Sequence, residues 1–191
     1  MTDMENVSGV ILAGGLSSRM GSNKAELPFG GVTLLEHQIS KLRCLGIEDI
    51  VVAGHVAPLP DIRFAADVFP QKGPLGGIHA GLCAARGEHC LVLSVDTPLL
   101  PAELLLALVR EHIKAQSSIT VLAHGDKIEP LIAVYEKSLA PLAEEILRTD
   151  STSVRELYKR REISQLAYTG DERLLCDCNT PEEYRKATEL N

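Results

Sequence analysis

Short apolar runs alternate along this chain with longer stretches in which apolar residues recur every three or four positions. The runs at 49–53, 62–66, 90–95, 118–123, 131–135, 165–168 and 174–176, and Val10-Ile11-Leu12 as the end of a first strand, read as buried strands. Helical spacing covers 34–45, opened by Thr33 and closed by Gly46, then about 79–86, 102–116, 139–148 and 153–161. Thr180, Pro181 and Glu183 form a capping box that starts a final helix. Alternation of strand and helix predicts βαβ units around a mainly parallel sheet, an α/β, Rossmann-like, three-layer α/β/α arrangement. The turn at 124–127 leads back into 131–135 as a hairpin would, so that strand is expected to be antiparallel. Residues 1–191 read as a single domain, without repeats or linkers.

Composition narrows the classes. A hydrophobic fraction of 45% and a charged fraction of 24% are those of an ordinary globular protein, and a net charge of −7 opposes nucleic-acid binding. Lys159-Arg160-Arg161, flanked by Glu156 and Glu162, reads as a solvated helix end. The five cysteines are odd in number and no secretory signal pattern precedes them, so a reducing, cytoplasmic setting is expected. Cys176-Asp177-Cys178 lacks metal-ligand spacing, and on a strand its two thiols would share a buried face. His55, His79, His89, His112 and His124 are dispersed and read as packing or solvated residues, and no apolar run reaches the roughly 18–20 residues of a membrane span.

Chemistry concentrates in four places. The stretch from Leu12 through Ala13, Gly14 and Gly15 to Arg19 and Lys24 follows a buried strand with a glycine turn and two cations, which suits a polyphosphate. It has neither the Gly-x-Gly-x-x-Gly of dinucleotide folds nor the Gly-Lys-Ser/Thr of a P-loop. Gly73-Pro74-Leu75-Gly76-Gly77 reads as a second glycine turn leading into the helix at 79, with Asp67 delivered just before it. Asp96 ends the strand 90–95, at the sheet edge where ligands of open α/β sheets sit. Asp177 and Asn179 precede the last helix on one face of an extended segment and are expected to look toward Asp96. An acid beside phosphates implies an intervening divalent metal, and Mg²⁺ is the economical choice. Nucleotidyl transfer follows. Glu129 reads equally as a second-substrate contact or a surface acid.

These motifs, in order and spacing, resemble the nucleotidyltransferases of molybdenum cofactor maturation, nearest to the guanylyltransferases of the MobA family. The resemblance rests on Leu12-Ala13-Gly14-Gly15-x-Ser17-x-Arg19-Met20-Gly21-x-x-Lys24, Gly73-Pro74-Leu75-Gly76-Gly77, Asp96-Thr97-Pro98 and Asn179-Thr180-Pro181-Glu182-Glu183. It implies a sheet whose first half binds GTP and whose second half receives molybdopterin or Mo-molybdopterin, with transfer of GMP and release of pyrophosphate. By the same resemblance Leu12, Ala13, Gly14 and Gly15 contact the nucleotide, as do Gly76 and Gly77, and Asp67 contacts the nucleoside. Lys24 and Arg19 lie along the phosphates, Asp96 holds nucleotide and Mg²⁺, and Asp177 and Asn179 sit near the pterin substrate or the metal. Molybdopterin-inserting or molybdoenzyme-maturation proteins are the implied downstream partners.

Two positions depart from the family. Its second strand usually ends in asparagine, where this chain has Ala53-Gly54-His55, and its terminal motif usually begins Asn-x-Asn, where this chain has Asp177. The latter is typical of cytidylyltransferases, so CTP is the alternative donor. Gly14 favours GTP in this reading, because a missing Cβ leaves room beside a purine. A non-catalytic nucleotide-binding adaptor is a third reading, opposed by the joint presence of Arg19, Lys24 and Asp96.

Overall fold

The computed structural model describes residues 4–14, 23–54, 59–149 and 151–190. In chain order the strands and α-helices are β1 (Val7–Leu12), β2 (Pro28–Phe29), β3 (Val32–Thr33), α1 (Leu34–Cys44), β4 (Ile50–Ala53), β5 (Arg63–Ala65) and α2 (Gly73–Ala84). They continue with β6 (His89–Ser94), α3 (Ala102–Ala115), β7 (Ile119–His124), β8 (Lys127–Glu136), α4 (Ala140–Leu147), α5 (Arg155–Arg160), β9 (Ile163–Ala167) and α6 (Pro181–Leu190).

Seven strands form one sheet in the order β5-β4-β1-β6-β8-β7-β9, and β2 and β3 form a separate two-stranded ribbon. Neighbours pair in parallel except at β8, which runs antiparallel to both β6 and β7. The alternation of side chains along each strand divides the core in two. Ile11, Val52, Leu91, Leu93 and Val134 pack under α1 and α3, whereas Val10, Ala53, Cys90, Val92 and Ala133 pack under α2 and α4. The three-layer expectation is met. From β1 the chain winds outward to β4 and β5, then returns through α2 to β6 on the other side. The topological switch, the usual ligand crevice of such sheets, therefore lies where the carboxyl ends of β1 and β6 part.

Local chemistry accounts for several element ends. Thr33 and Glu36 form a reciprocal capping box on α1: the Thr33 hydroxyl accepts from Glu36 N at 3.2 Å and the Glu36 carboxylate accepts from Thr33 N at 2.8 Å. Thr180 and Glu183 repeat it on α6. Three expectations are corrected. The glycine-rich segment at 73 is not a turn before a helix but the first turns of α2 itself, with Pro74 at a first-turn position that needs no N–H partner. Residues 174–176 are not a strand: Glu172–Leu175 is a 3-10 helix capped by the Asp171 carboxylate, which accepts from Arg173 N at 3.0 Å. Consequently Cys176 and Cys178 do not share a face; Cys178 is buried and Cys176 exposed.

Candidate active site

The crevice at the β1/β6 switch is built from segments far apart in sequence. Lys24 opens a 3-10 helix, Lys24–Glu26, capped by Asn23, whose side chain accepts from Ala25 N at 3.2 Å. That short helix aims the Lys24 ammonium across the sheet edge. There it donates to the Asp96 carboxylate at 3.0 Å and to the Asn179 amide oxygen at 2.5 Å. The expected meeting of Lys24, Asp96 and Asn179 is thus realised, although 155 residues separate its ends.

Each partner is itself held. The second Asp96 oxygen accepts from the Ser94 hydroxyl, and the Asp96 main-chain carbonyl accepts from Cys178 N at 2.8 Å. That backbone bond ties the 176–179 segment to the end of β6, and the Tyr184 hydroxyl on α6 donates to Pro28 O, tying the same helix to the ribbon that follows Lys24. Asn179 Nδ2 donates to Asp177 at 3.3 Å. Asp177 sits at the mouth of a crowded crevice; partial burial, then the carboxylates of Asp96 and Glu129, push its carboxyl up to about 6, opposed by Lys24. Glu129 on β8 in turn pairs with His124 at the end of β7, at 3.0 Å. Sequence spacing had read His124 as a packing or solvated residue; its register on the β7–β8 hairpin makes it the partner of Glu129.

The opposite wall of the crevice is formed by backbone. Leu12 is buried at the end of β1, and Ala13 N donates to Ala53 O at 3.0 Å. A Cβ on Gly14 would lie 3.1 Å from Gly54 Cα, and Gly54, at φ +87°, faces it in turn. The space left by the missing Gly14 side chain is therefore taken up by the Gly54 main chain. Asp67 follows β5 and turns back on itself, accepting from Phe69 N at 2.9 Å. Its carboxylate lies against Gly76, where a Cβ would come within 2.9 Å of Asp67 Oδ1, and a Cβ at Gly77 would come within 3.2 Å of Leu12. Glycine at these two helical positions lets α2 close on both β1 and Asp67. Gly15, Arg19 and His55 lie outside the described residues.

Three residues on α1 escaped the sequence reading. Gln38 is fully buried, and His37 and Lys41 flank it on the same helix face; all three donate to carbonyls of the segment that carries Asp96. A buried glutamine inside an amphipathic period was the signal available. The basic cluster 159–161 behaves as expected: Lys159 pairs with Glu156 and Arg160 with Glu145, both at 2.7 Å.

The crevice is thus a cation bridging two oxygen acceptors from remote segments, walled by glycine backbone and open at the carboxyl edge of the sheet. Such a site suits an anionic, phosphorylated ligand. Among known proteins, the sequence model of the MobA-like NTP transferase domain matches residues 9–166. The chain is 36% identical over 197 aligned residues to a probable molybdenum cofactor guanylyltransferase of Carboxydothermus hydrogenoformans, covering 98% of each chain. It is 35% identical to a molybdenum cofactor guanylyltransferase of Xanthomonas euvesicatoria, covering 100% of this chain and 99% of that one. In fold it is similar to the crystal structure of molybdopterin-guanine dinucleotide biosynthesis protein A from Archaeoglobus fulgidus, with a TM-score of 0.82, 23% identity, and coverage of 96% and 97%.

Proposed function

Since the chain belongs to the MobA-like NTP transferase family, we propose that it transfers GMP from GTP to the terminal phosphate of molybdopterin or Mo-molybdopterin. A phosphate oxygen of the acceptor attacks the α-phosphorus of GTP, the bond from that phosphorus to the bridging oxygen breaks, and pyrophosphate leaves. The products are the guanine dinucleotide form of the cofactor and pyrophosphate. The nucleophile is already anionic, so the chain supplies little acid/base chemistry; its task is to bring two anions together and hold them in line.

The observation that carries this reading is the Lys24 ammonium shared between Asp96 and Asn179. Lys24 offers its charge to the triphosphate, and Arg19, by family resemblance, lies along the same phosphates. Leu12, Ala13 and Gly14 present main chain to the nucleotide, and Asp67, braced against Gly76, contacts the nucleoside. On the β7–β8 side, Asp177 and Asn179 face the acceptor.

A Mg²⁺ ion fits this donor set. Asp96 and Asn179 present hard oxygens that converge on one cation, the Lys24 ammonium, and Mg²⁺ takes few protein carboxylates when phosphates and water complete its shell. Asp96 would hold it, with Asn179 and Asp177 close by; when bound it would neutralise charge on the α-phosphate and the leaving pyrophosphate. The five free thiols support a reducing compartment.

The test is direct. Purified protein is incubated with molybdopterin and either GTP or CTP, with Mg²⁺ or with EDTA, while pyrophosphate and the dinucleotide product are followed. Product from GTP that is lost in EDTA is expected. Transfer from CTP but not GTP refutes the donor assignment, and nucleotide binding without pyrophosphate release refutes catalysis.

A further inference from the structure

The segment Ser94–Pro98, which presents Asp96 to the crevice, is gripped from behind by one face of α1. Gln38 Nε2 donates to Ser94 O at 2.9 Å and to Thr97 O at 3.0 Å, so a single amide nitrogen bridges the carbonyls on either side of Asp96. Pro98 O accepts from His37 Nε2 at 3.1 Å and from Lys41 Nζ at 2.7 Å. Pro98 O can only accept, which makes that His37 nitrogen the protonated one. With Cys178 N on Asp96 O, the carbonyls of Ser94, Asp96, Thr97 and Pro98 are all satisfied by groups remote in sequence.

Gln38 stands out chemically. It is fully buried, both of its amide protons are used on this segment, and its Oε1 is buried without a partner. An orphaned buried acceptor is unfavourable, and the two bonds donated by the same amide offset it. What sets glutamine apart here is the pair of amide protons converging on the carbonyls that flank Asp96, of which Ser94 O also accepts from the Thr97 hydroxyl at 3.1 Å.

We propose that Gln38, assisted by His37 and Lys41, is a positioning residue for the transfer step: it fixes the Ser94–Pro98 main chain so that the Asp96 carboxylate meets Lys24 and Asn179. Its role in turnover rests on the guanylyltransferase reading above; its grip on the segment does not.

Gln38→Met keeps the length and removes both donors. Hydrogen exchange of the peptide spanning 94–98, thermal unfolding, and kcat and KM for GTP are measured on wild type and variant. The variant is expected to unfold at a lower temperature, since Thr97 O is left without its donor, and to exchange faster at 94–98 than elsewhere in the chain. Its kcat should fall on the order of tenfold to a hundredfold, the usual effect of an ångström-scale misplacement, while KM for GTP stays within about threefold. Wild-type exchange at 94–98, or a kcat loss matched by accelerated exchange throughout the chain, overturns the proposal. If Gln38→Met does not fold, Gln38→Ala, which leaves room for water at the two carbonyls, carries the same test. Wild-type exchange and kcat in that variant overturn the proposal equally. A wild-type protein that transfers neither GMP nor CMP removes the functional reading and leaves the exchange comparison to decide the role of Gln38.

Discussion

Asp96→Asn keeps the shape of the side chain and removes its charge, and the surroundings set what is lost. The Lys24 ammonium lies 3.0 Å away, with the two side chains 17% and 16% exposed. At that separation two unit charges in a medium of effective dielectric constant about 20 attract by about 5 kcal/mol, before desolvation is subtracted. Part of that attraction is offset in the folded protein, because Asp177 feels the Asp96 charge and neutralising Asp96 relieves it, and desolvation takes much of the rest. The net cost to folding should therefore be about 1 kcal/mol. The cost to catalysis should be larger. In the proposed mechanism Asp96 would hold the metal that meets the triphosphate, and one such preorganised contact is worth about 3 kcal/mol, or on the order of a hundredfold in kcat.

Lys24→Met is the informative partner. It leaves the Asp96 and Asp177 carboxylates facing each other without the ammonium they share, so it should destabilise the fold more than Asp96→Asn does. In the proposed mechanism the two groups serve the same phosphates, so the double variant should lose far less activity than the product of the two single losses. Pyrophosphate release and urea unfolding at pH 7.5 measure both quantities. A kcat for Asp96→Asn within about threefold of wild type, or two losses that multiply, would refute the shared-site reasoning.

Other consequences follow from the same contacts. His112, on α3, is buried between His89 at 3.2 Å and Thr120 at 2.9 Å; burial, then the neighbouring imidazole, pulls it from 6.5 to about 4, with Glu136 opposing. The unfolded chain takes up this proton below 6.5 and the native state only near 4, so stability is full above 6.5 and falls by about 3 kcal/mol as pH drops to 4. His112→Gln should flatten that part of the pH dependence in urea unfolding; an unchanged slope counts against it. Gly76→Ala would place a Cβ 2.9 Å from Asp67 Oδ1, and should raise KM for GTP about tenfold while leaving the helix no less stable; an unaltered KM removes Asp67 from the nucleotide site. Gly54→Ala meets both a φ of +87° and a Gly14 Cα only 2.6 Å from the new Cβ, and should cost about 2 kcal/mol or more in urea unfolding; wild-type stability would mean that the two turns part readily.

What the sequence disclosed depended on whether the governing forces were local. The capping box at Thr180 and the cap at Thr33 use partners three residues apart, and both were legible, although the reciprocal bond from Glu36 at Thr33 was not read. The buried strands that end at Leu12 and Ser94 were legible too, since near-continuous apolar runs mark strands covered on both faces. Gly73–Gly77 misled because glycine has poor helix propensity, and at Gly76 and Gly77 its use is steric and tertiary. A Cβ at Gly77 would lie 3.2 Å from Leu12 and one at Gly81 2.3 Å from Val10 Cγ1, so these two serve close approach to β1; Gly76 makes room for Asp67, and Gly73, at φ +62° in open space, takes a backbone conformation that favours glycine. At 174–176, the Asp171 side chain diverted an apolar run into a 3-10 turn that periodicity alone does not report.

Gly14 shows how a correct residue can carry an incomplete reason. Read along the chain, its missing side chain looks like room for a base; in the fold that room is filled by Gly54, from the strand whose usual asparagine this chain lacks. One departure from the family pattern, Gly54, thus packs on a residue that keeps to it, Gly14, so that two bare backbones meet at the ends of β1 and β4. An alanine at Gly14 needs only a few tenths of an ångström from Gly54, whereas an alanine at Gly54 collides with main chain. Base choice is consequently better assigned to polar groups that pair with the base than to the volume at Gly14, since missing hydrogen bonds discriminate far more strongly than an added methyl.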